Sequence, residues 1–494
     1  MLGFAELQPS LADSGFSHSV DILSTRRYAN LRISRTDGVE AAAWSHKDKC
    51  RVRHVLGSGV AMMDFATRVH NHNYRLDPII RSLLDTDFYK FLMHQFVWML
   101  YPTVPVTFSL INRTKTVRLA EIIPEAVLRA QLDHARTLTF RENELIWLAG
   151  NRFYGRRDIF RPEYIEYLRS FRLPDYKLET VDGQYVLTFE GDWAAVTMWE
   201  IYALAIVSEL RSRIAMASLD KFELDILYAQ TKTKIWNKIK KLKSYPDMRL
   251  AEFGTRRRHG FLWQEWVTDA MANELGRSFV GTSNALLAFK HSFEAIGTNS
   301  HELPMVFACL ADSDEALKTA QYDVLAKWQE VYDGELLIIL PDTFGMTQFL
   351  RDAPPWASKW TGMRMDSKEP VAAGEEVIAW YAMRGEDPRK KRAMFSDGLE
   401  VDLMIDLHQR FRGRIRESFG WGTMATNDFR GAHPRGLDTL DPISLVCKIT
   451  AANGRPAVKL SDNPAKTTGG SQEEIDRYLR IFGREGVAEQ KVIV

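Results

Sequence analysis

Hydrophobic residues recur at helical spacing in an early segment of the chain and at strand-like spacing in the segment after it. Residues 82–102 have the period of an amphipathic helix, which Pro102 ends. Residues 104–113 then alternate as a strand. A mostly helical stretch, another strand and a long helical region follow at 120–180, 185–191 and 199–241. This pattern predicts an N-terminal part that mixes α and β structure.

A second pattern begins near residue 250, where short apolar strands each end in Gly, Asp, Ser or Thr. The predicted strand ends are marked by Thr255, Thr282, Thr298, Asp342, Asp366, Asp397 and Thr423. Most intervals suit a strand, a loop and a returning helix, which together form a βα unit. The interval between Thr282 and Thr298 is short for a full helix, and no eighth strand is identifiable.

Successive βα units with polar strand ends favour a β/α barrel whose site lies at the carboxyl ends of the strands. An open doubly wound sheet would also place a ligand at strand ends. Because one interval is short and one strand is missing, the predicted fold class is α/β with an irregular or incomplete β/α barrel.

The composition narrows the function classes. The chain has 494 residues, 45% of them hydrophobic and 26% charged, which is typical of an ordinary globular protein of two or three domains. Lys plus Arg number 65 against 64 for Asp plus Glu, so the net charge is +1. No basic excess indicates nucleic acid or an anionic membrane as a partner.

The cysteines and the apolar runs bear on the compartment. Cys50, Cys309 and Cys447 form no C-x-x-C pair, so neither a disulfide framework nor a zinc site is predicted. No apolar run approaches the roughly 18–20 residues of a membrane span, and the first residues lack a secretory signal pattern. We therefore expect a cytoplasmic protein without a membrane partner.

Residues 1–61 differ from the rest in being rich in Ser, Arg, Ala and Gly without sustained periodicity. We interpret them as a poorly ordered extension or as an over-long gene prediction, with translation beginning at Met62 or Met63. A transit peptide is the third interpretation, and the acidic residues of the segment weigh against it.

Three adjacent arginines, Arg256, Arg257 and Arg258, follow a strand and a Gly-Thr turn. They cannot all face one way, so one or two can reach a ligand. Guanidinium groups match phosphate oxygens bidentately, which makes a phosphate site one interpretation. A solvated surface run is the other.

Two similar turns, GTSN and GTNS, recur shortly after these arginines. Their glycines let a ligand approach the backbone, and Thr282, Ser283, Thr298 and Ser300 supply hydroxyls. Each turn alone is a weak signal, but two in succession beside an arginine cluster favour an anion cradle.

His301 and Glu302 follow the second turn directly. One interpretation is a helix start, with Asn299 or Ser300 as the N-cap and Glu302 in the first turn. The alternative is that the free N–H groups of this start hold phosphate and that His301 handles a phosphoryl group.

Three aspartates, Asp342, Asp366 and Asp397, end successive strands. Such carboxylates orient sugar hydroxyls or hold Mg²⁺, and loop capping is the alternative for each. Arg364 precedes Asp366 by two positions and points to the same side, where it can pair with a carboxylate ligand or with a neighbouring strand. The combination suits transfer at a ribose-phosphate centre, where positioning and charge stabilisation dominate.

A set of motifs then runs along residues 64–485 in a fixed order. The motifs are LLDTDFYKFLM, TFSLINRT, MWEIYALAIVSELRSR, FGTRRR, FVGTSNALLA, IGTNSHELPM, PDTFG, TGMRMDS, FSDGL, FGWGT and KLSDNPAKTTG. Together they resemble the nicotinate phosphoribosyltransferase family of the bacterial type. One motif would be a weak signal, but the ordered set is highly specific.

The resemblance implies transfer of phosphoribosyl from phosphoribosyl pyrophosphate to nicotinate in NAD salvage, with ATP hydrolysed alongside and Mg²⁺ as cofactor. It implies the type II phosphoribosyltransferase fold, in which an N-terminal α/β domain packs on an irregular α/β barrel, and a homodimer. The expected divisions are an N-terminal domain at 62–195, a barrel at 196–440 and a C-terminal segment at 441–494 that packs back on the N-terminal domain.

The resemblance also implies roles for individual residues. His301 would be autophosphorylated from ATP, and Glu302 would orient its imidazole or only stabilise the helix start. Nicotinate would contact Thr298, Arg364 and Tyr89, the last from the same chain or from the partner subunit, and phosphoribosyl pyrophosphate would contact Thr423. Arg256 and Arg258 are the expected phosphate contacts, and Arg257 remains open as an alternative. Asp342 or Asp397 would hold Mg²⁺.

One loop departs from the family pattern. Relatives often have Asp-Ser-Gly-Asp where this chain has Asp366-Ser367-Lys368-Glu369. The lost glycine removes backbone freedom and Lys368 adds charge, so this loop is not expected to keep all the family's ligand contacts.

Rival functions follow from the same residues. A phosphoribosyltransferase for nicotinamide would leave Arg364 unused, and quinolinate enzymes lack the ATP-linked histidine segment. The other rivals are a silent homologue that acts as a binding scaffold and a barrel glycosidase with two catalytic carboxylates.

Overall fold

The structure is a computed structural model, and it describes residues 76–490. The predicted extension at 1–61 and the predicted start at Met62 or Met63 lie outside the described residues.

The first sheet is antiparallel and five-stranded, with the order β11-β10-β1-β3-β2. Its strands are β1 (Pro105–Asn112), β2 (Lys177–Val181), β3 (Gln184–Asp192), β10 (Leu445–Ala452) and β11 (Arg455–Pro456). Alternate residues of β1 are buried, as the period of two predicted. Phe108 of β1 pairs with Phe189 of β3, and Leu110 of β1 pairs with Cys447 of β10. A central strand of the N-terminal sheet is therefore supplied from near the end of the chain.

The second sheet is parallel and six-stranded, with the order β5-β4-β9-β8-β7-β6. Its strands are β4 (Leu250–Glu252), β5 (Phe279–Thr282), β6 (Ile338–Ile339), β7 (Gly362–Met365), β8 (Arg392–Phe395) and β9 (Arg416–Trp421). The predicted strand before Thr298 is reduced to a single bridge between Thr282 and Ala295. The parallel sheet confirms the barrel-like fold class, and the short interval marks where the barrel is irregular.

Helices alternate with these strands. Those before the barrel are α1 (Tyr89–Leu100), α2 (Leu119–Ile122), α3 (Glu125–Thr137), α4 (Glu142–Gly150), α5 (Pro162–Ser170), α6 (Trp193–Val196), α7 (Trp199–Met216) and α8 (Lys221–Leu242). Those within and after it are α9 (Phe261–Leu275), α10 (Ala285–His291), α11 (Glu302–Leu310), α12 (Asp314–Val331), α13 (Met346–Asp352), α14 (Pro370–Met383), α15 (Val401–Phe411), α16 (Thr423–Thr426) and α17 (Gln472–Phe482).

The helix predicted from residue 82 begins only at Tyr89. Residues before it are tied to the barrel instead, because Asp87 bridges with Asn284 and the Phe88 N–H donates to the Ser283 carbonyl. Backbone groups that pair with the barrel loop are not available for the first turns of a helix.

Helices α6 and α7 form the central core element. The stretch Trp193–Met216 has the length and composition of a membrane span, with a mean hydropathy of 1.2 over its most apolar window, so the expectation that no such run exists is wrong. Of that window, 94% is buried inside the protein. A core helix enclosed on all sides accounts for this composition.

Candidate active site

A pocket lies between the antiparallel sheet and the carboxyl ends of the parallel strands. Phe108 of β1 and Lys448 of β10 line one side, and Arg364 of β7 lines the other. Basic side chains outnumber acidic ones among the lining residues. The basic residues are Arg113, Arg256, Arg257, Arg364, Lys448, Lys459 and Lys466, and the acidic residues are Asp87, Glu200, Glu302, Asp366 and Asp397. This balance suits a ligand with several negative charges.

His301 lies at the N-terminal start of α11 and faces this pocket. Its Nδ1 is 2.9 Å from the Thr343 hydroxyl, and its Nε2 is 3.1 Å from Asp366 Oδ2 and 3.0 Å from Lys459 Nζ. Burial, reinforced by the ammonium of Lys459, lowers the pKa of His301 to about 4. The imidazole is therefore neutral near pH 7, which is the form a nucleophile needs.

Asp366 is the carboxylate beside this imidazole. Burial alone would raise the pKa of Asp366, but the hydrogen bond with His301 and the charge of Arg364 hold it well below its ordinary value. Burial also lowers the pKa of Lys459, and the charges of Asp342 and Asp366 partly oppose this effect.

Glu302 does not orient the imidazole, so that prediction is wrong. Its carboxylate accepts hydrogen bonds from Trp193 Nε1 and Thr197 Oγ1 at 2.6 Å and forms an ion pair with Lys90 at 2.6 Å. Lys90 also pairs with Glu200 at 2.5 Å. The side chain thus belongs to a buried network that joins α1, α6 and α11, while Thr343 and Asp366 hold the imidazole.

The arginine cluster divides by burial. The prediction that Arg258 contacts phosphate is wrong, because its guanidinium is fully buried and bidentate on Asp85, at 2.6 and 2.8 Å. Arg256 and Arg257 line the pocket instead. Arg256 lies 3.6 Å from Asp87 with 46% of its side chain exposed, and Arg257 donates to the Leu445 carbonyl.

The hydroxyls of the two Gly-Thr turns also divide. Thr282 is fully buried and donates to Glu252 at 2.6 Å, and Thr298 is buried outside the pocket lining, so neither side chain belongs to an anion cradle in this chain. Ser283, Ser300 and Thr423 do line the pocket. At the first turn the strand end explains the split, because the neighbouring side chains of Thr282 and Ser283 point to opposite faces.

Asp342 lies directly behind His301. Its Oδ2 accepts a hydrogen bond from Ser367 at 2.6 Å, whereas its Oδ1 is buried, has no hydrogen-bond partner among the described residues and is 3.9 Å from His301 Nε2. Ligand atoms of His301, Asp342 and Asp366 all lie within 4.8 Å of one another. An unsatisfied carboxylate oxygen beside a second carboxylate fits a hard cation such as Mg²⁺.

Asp397 is placed differently from Asp342. It pairs with Lys466 at 2.5 Å and lies outside the group of close ligand atoms. Burial raises the pKa of Asp397, and the charge of Lys466 opposes that effect.

Tyr89 and Arg364 both face the pocket from this one chain. The Tyr89 hydroxyl is 3.5 Å from Glu200 Oε1. Arg364 donates to the Asn299 carbonyl at 3.0 Å, and its buried Nε makes no hydrogen bond within the described residues. Arg364 therefore retains donor capacity for a ligand.

Sequence reasoning missed several pocket residues. Four basic residues line the pocket, namely Arg113, Lys448, Lys459 and Lys466. Thr343, which sequence reasoning also missed, bonds the imidazole of His301. The signal for Lys448 was a lone charge in an apolar strand, and KLSDNPAKTTG contributed only to the resemblance.

The departing loop turns its lysine away from the pocket. Lys368 bonds with Thr347 and Glu376, at 2.7 and 2.6 Å, and Glu369 caps the start of α14. Ser367 bridges Asp342 and Asp462. The departure therefore leaves Asp366 and Ser367 in the site.

An α/β domain beside an irregular barrel, with a cationic pocket at the strand ends, defines the type II phosphoribosyltransferase class. The nicotinate phosphoribosyltransferase family model matches residues 248–485, and the model of that family's N-terminal domain matches residues 84–208. The chain belongs to the nicotinate phosphoribosyltransferase family, whose members transfer phosphoribosyl to nicotinate in NAD salvage.

Solved structures agree with this assignment. The nicotinate phosphoribosyltransferase of Porphyromonas gingivalis is 30% identical, with a TM-score of 0.72 over 82% of this chain and 100% of that one. The enzyme of Vibrio cholerae is also 30% identical, with a TM-score of 0.72 over 83% and 95%. A putative one from Saccharomyces cerevisiae is 27% identical, with a TM-score of 0.71 over 83% and 99%.

Proposed function

We propose that this nicotinate phosphoribosyltransferase couples transfer to ATP hydrolysis through a phosphorylated His301. The observation that carries the proposal is the environment of the imidazole, which is buried, neutral and next to the pocket cation Lys459. The hydrogen bond with Asp366 has the imidazole proton on Nε2. When the proton is on Nδ1 instead, where the Thr343 hydroxyl accepts it, the Nε2 lone pair becomes available on the side of Lys459.

The chemical step forms a P–N bond. The Nε2 lone pair attacks the γ-phosphorus of ATP, the P–O bond to ADP breaks, and ADP leaves with the bonding electrons. Lys459 is positioned to stabilise the negative charge of the transferred phosphoryl group. Water later attacks the phosphorus, the P–N bond breaks, and inorganic phosphate leaves the neutral imidazole behind.

The remaining pocket residues suit the other substrates. Arg364 would pair with the nicotinate carboxylate, and Tyr89 would contact the pyridine ring. Arg256, Arg257 and Lys448 would bind the phosphates of phosphoribosyl pyrophosphate.

Asp342 and Asp366 would hold Mg²⁺, which supplies positive charge to the pyrophosphate leaving group. We also propose that the protein is a homodimer, which light scattering coupled to size exclusion would test. We propose in addition that it is cytoplasmic.

Phosphate labelling tests the proposal. With γ-labelled ATP, we expect the wild type to incorporate acid-labile phosphate and His301→Ala to incorporate none. The variant should retain slow transfer without ATP, since the nicotinate and ribose contacts remain. His291→Ala is the matched control, because it removes a partly exposed imidazole that does not line the pocket. Undiminished label in His301→Ala would contradict the proposal.

A further inference from the structure

A strained turn lies beside the segment that carries His301. Phe153 and Arg156 exchange two backbone hydrogen bonds, at 2.7 and 3.0 Å, and close a two-residue turn. Both central residues are left-handed, Tyr154 at φ 53° and Gly155 at φ 85°. This turn type favours Asn-Gly, and a bulky residue at φ above zero is a true outlier. Backbone strain of this kind clusters at functional sites.

The base of the turn is firmly packed. Phe153 is fully buried, and its ring lies 4.6 Å from Phe88 and 5.1 Å from Trp147, centroid to centroid. Tyr154 and Gly155 are exposed, but the buried Phe153 anchors the base of their turn in the core.

The Tyr154 side chain makes an unusual pair of contacts. Its hydroxyl donates to the Gly297 carbonyl at 2.6 Å and accepts from the Gly297 N–H at 2.5 Å. The backbone N–H of Tyr154 donates to Glu294 Oε1 at 3.1 Å. Gly297 opens the Gly-Thr-Asn-Ser-His301 segment, so one phenol satisfies both backbone groups at its start.

The parallel sheet explains why a side chain is needed there. Strands β5 and β6 are its two edges, and residues 294–299 run along the gap between them. Thr282 bonds this segment on the β5 side, and Asn299 donates to the Ile338 carbonyl on the β6 side. Among the residues that the structure describes, Gly297 has no strand partner, and buried backbone groups must be paired.

Gly297 also packs against Tyr89. A Cβ there would lie 2.9 Å from the Tyr89 backbone nitrogen and 2.9 Å from its Cβ. Tyr89, which lines the pocket, therefore touches the segment that carries His301 at Gly297, the residue that the Tyr154 hydroxyl bonds.

We propose that Tyr154 is a positioning residue that fixes the Gly297–His301 segment and so sets the rate of His301 phosphorylation and of turnover. The proposal rests on the phosphohistidine function stated above for its labelling readout. Its structural part, that the Tyr154 hydroxyl holds Gly297, is independent of that function.

Two variants separate the contact from folding. Tyr154→Phe removes the hydroxyl and keeps the ring. Tyr154→Asn also removes the contact but places at this position the residue that the turn prefers, so it relieves strain. The control Tyr185→Phe removes a buried hydroxyl that donates to the Ile123 carbonyl, and neither residue lines the pocket.

Hydrogen exchange of the peptide containing Gly297 and the rate of phosphate labelling are the readouts. In both Tyr154 variants we expect exchange about tenfold faster and labelling about tenfold slower. The KM for nicotinate should stay within about twofold of wild type. The melting temperature of Tyr154→Asn should equal or exceed that of Tyr154→Phe. The phosphate-labelling rate of Tyr185→Phe should equal that of wild type.

An unchanged hydrogen-exchange rate at Gly297 in the Tyr154 variants would overturn the proposal. So would a loss of labelling rate that is proportional to the drop in melting temperature in all the variants. If the wild type takes up no label, the phosphohistidine function fails and the transfer kcat decides instead. A transfer kcat in Tyr154→Phe equal to that of Tyr185→Phe would then overturn the positioning role.

Discussion

Arg258 and Arg256 are two positions apart, yet they lie in different environments. Arg258 is enclosed with Asp85 and Glu209, and Arg256 has a half-exposed side chain in the pocket. No local pattern distinguishes three identical neighbours, because the difference arises from which face of the turn meets α7.

The two arginines should respond to truncation in opposite ways. Arg258→Ala leaves Asp85 buried without its partner, so we expect the free energy of unfolding to fall by about 3–5 kcal/mol. Arg256→Ala should change it by less than about 1 kcal/mol and raise the KM for phosphoribosyl pyrophosphate. Urea unfolding and steady-state kinetics on both variants check this. A normal KM in Arg256→Ala would remove it from the phosphate site.

Glu252, buried beneath the pocket, predicts a pH effect on stability. Burial raises the pKa of its carboxyl from 4.5 to about 7, although hydrogen bonds from Thr282, Gly254 and Gln264 oppose this. The raised pKa means that the folded state keeps a proton that the unfolded chain releases. The contribution of this proton to the free energy of unfolding is therefore full below pH 4.5 and is lost as the pH rises to 7.

Between about pH 5 and pH 8, wild type should lose on the order of 2–3 kcal/mol more stability than Glu252→Gln, which cannot titrate. Urea unfolding at a series of pH values measures the two profiles. Parallel profiles would show that Glu252 does not titrate in this range.

At the scale of elements, the barrel strands could be predicted from the sequence, whereas the contacts of the loops could not. Six predicted barrel strands exist, since a buried parallel strand is a continuous apolar run that ends in a polar turn. The predicted start of α1 was wrong because the backbone before Tyr89 pairs with a loop almost two hundred residues away. Pairings of that range, like those that bring Lys448 and Lys459 to the pocket, leave no periodic signal.

The helix after the departing loop also permits a test. Glu369 caps α14 by accepting from the Val371 and Ala372 N–H groups, at 3.0 and 2.7 Å. Glu369→Ala should lower the free energy of unfolding by about 1 kcal/mol and leave the KM for nicotinate unchanged. Ser471→Ala, which removes the cap of α17, is the matched control and should cost a similar amount. A raised nicotinate KM in Glu369→Ala alone would place Glu369 itself in the site.

At the scale of the molecule, the two sheets share elements. Strand β10 pairs with β1 from Leu445 opposite Asn112 to Ala452 opposite Val106. Helix α7 is buried and reaches the barrel, where Ser208 donates to the Arg258 carbonyl at 2.9 Å. The predicted boundaries at 195/196 and 440/441 remain predictions. The β1–β10 pairing joins residues outside both of them, whereas the Ser208–Arg258 contact lies within 196–440.

Such sharing predicts that the two sheets unfold together, although chains longer than about 150 residues often unfold in steps. Opening the antiparallel sheet detaches β10 and exposes α7. Once α7 is exposed, the turn at Arg256–Arg258 loses the helix on which it packs. We expect peptides from β1 and β3 and peptides from β7 to β9 to lose hydrogen-exchange protection at the same urea concentration. Helix α17, with only Tyr478 and Phe482 buried, should open earlier and serves as the internal control. Separate midpoints for the two sheets would mean that β10 and α7 do not couple them.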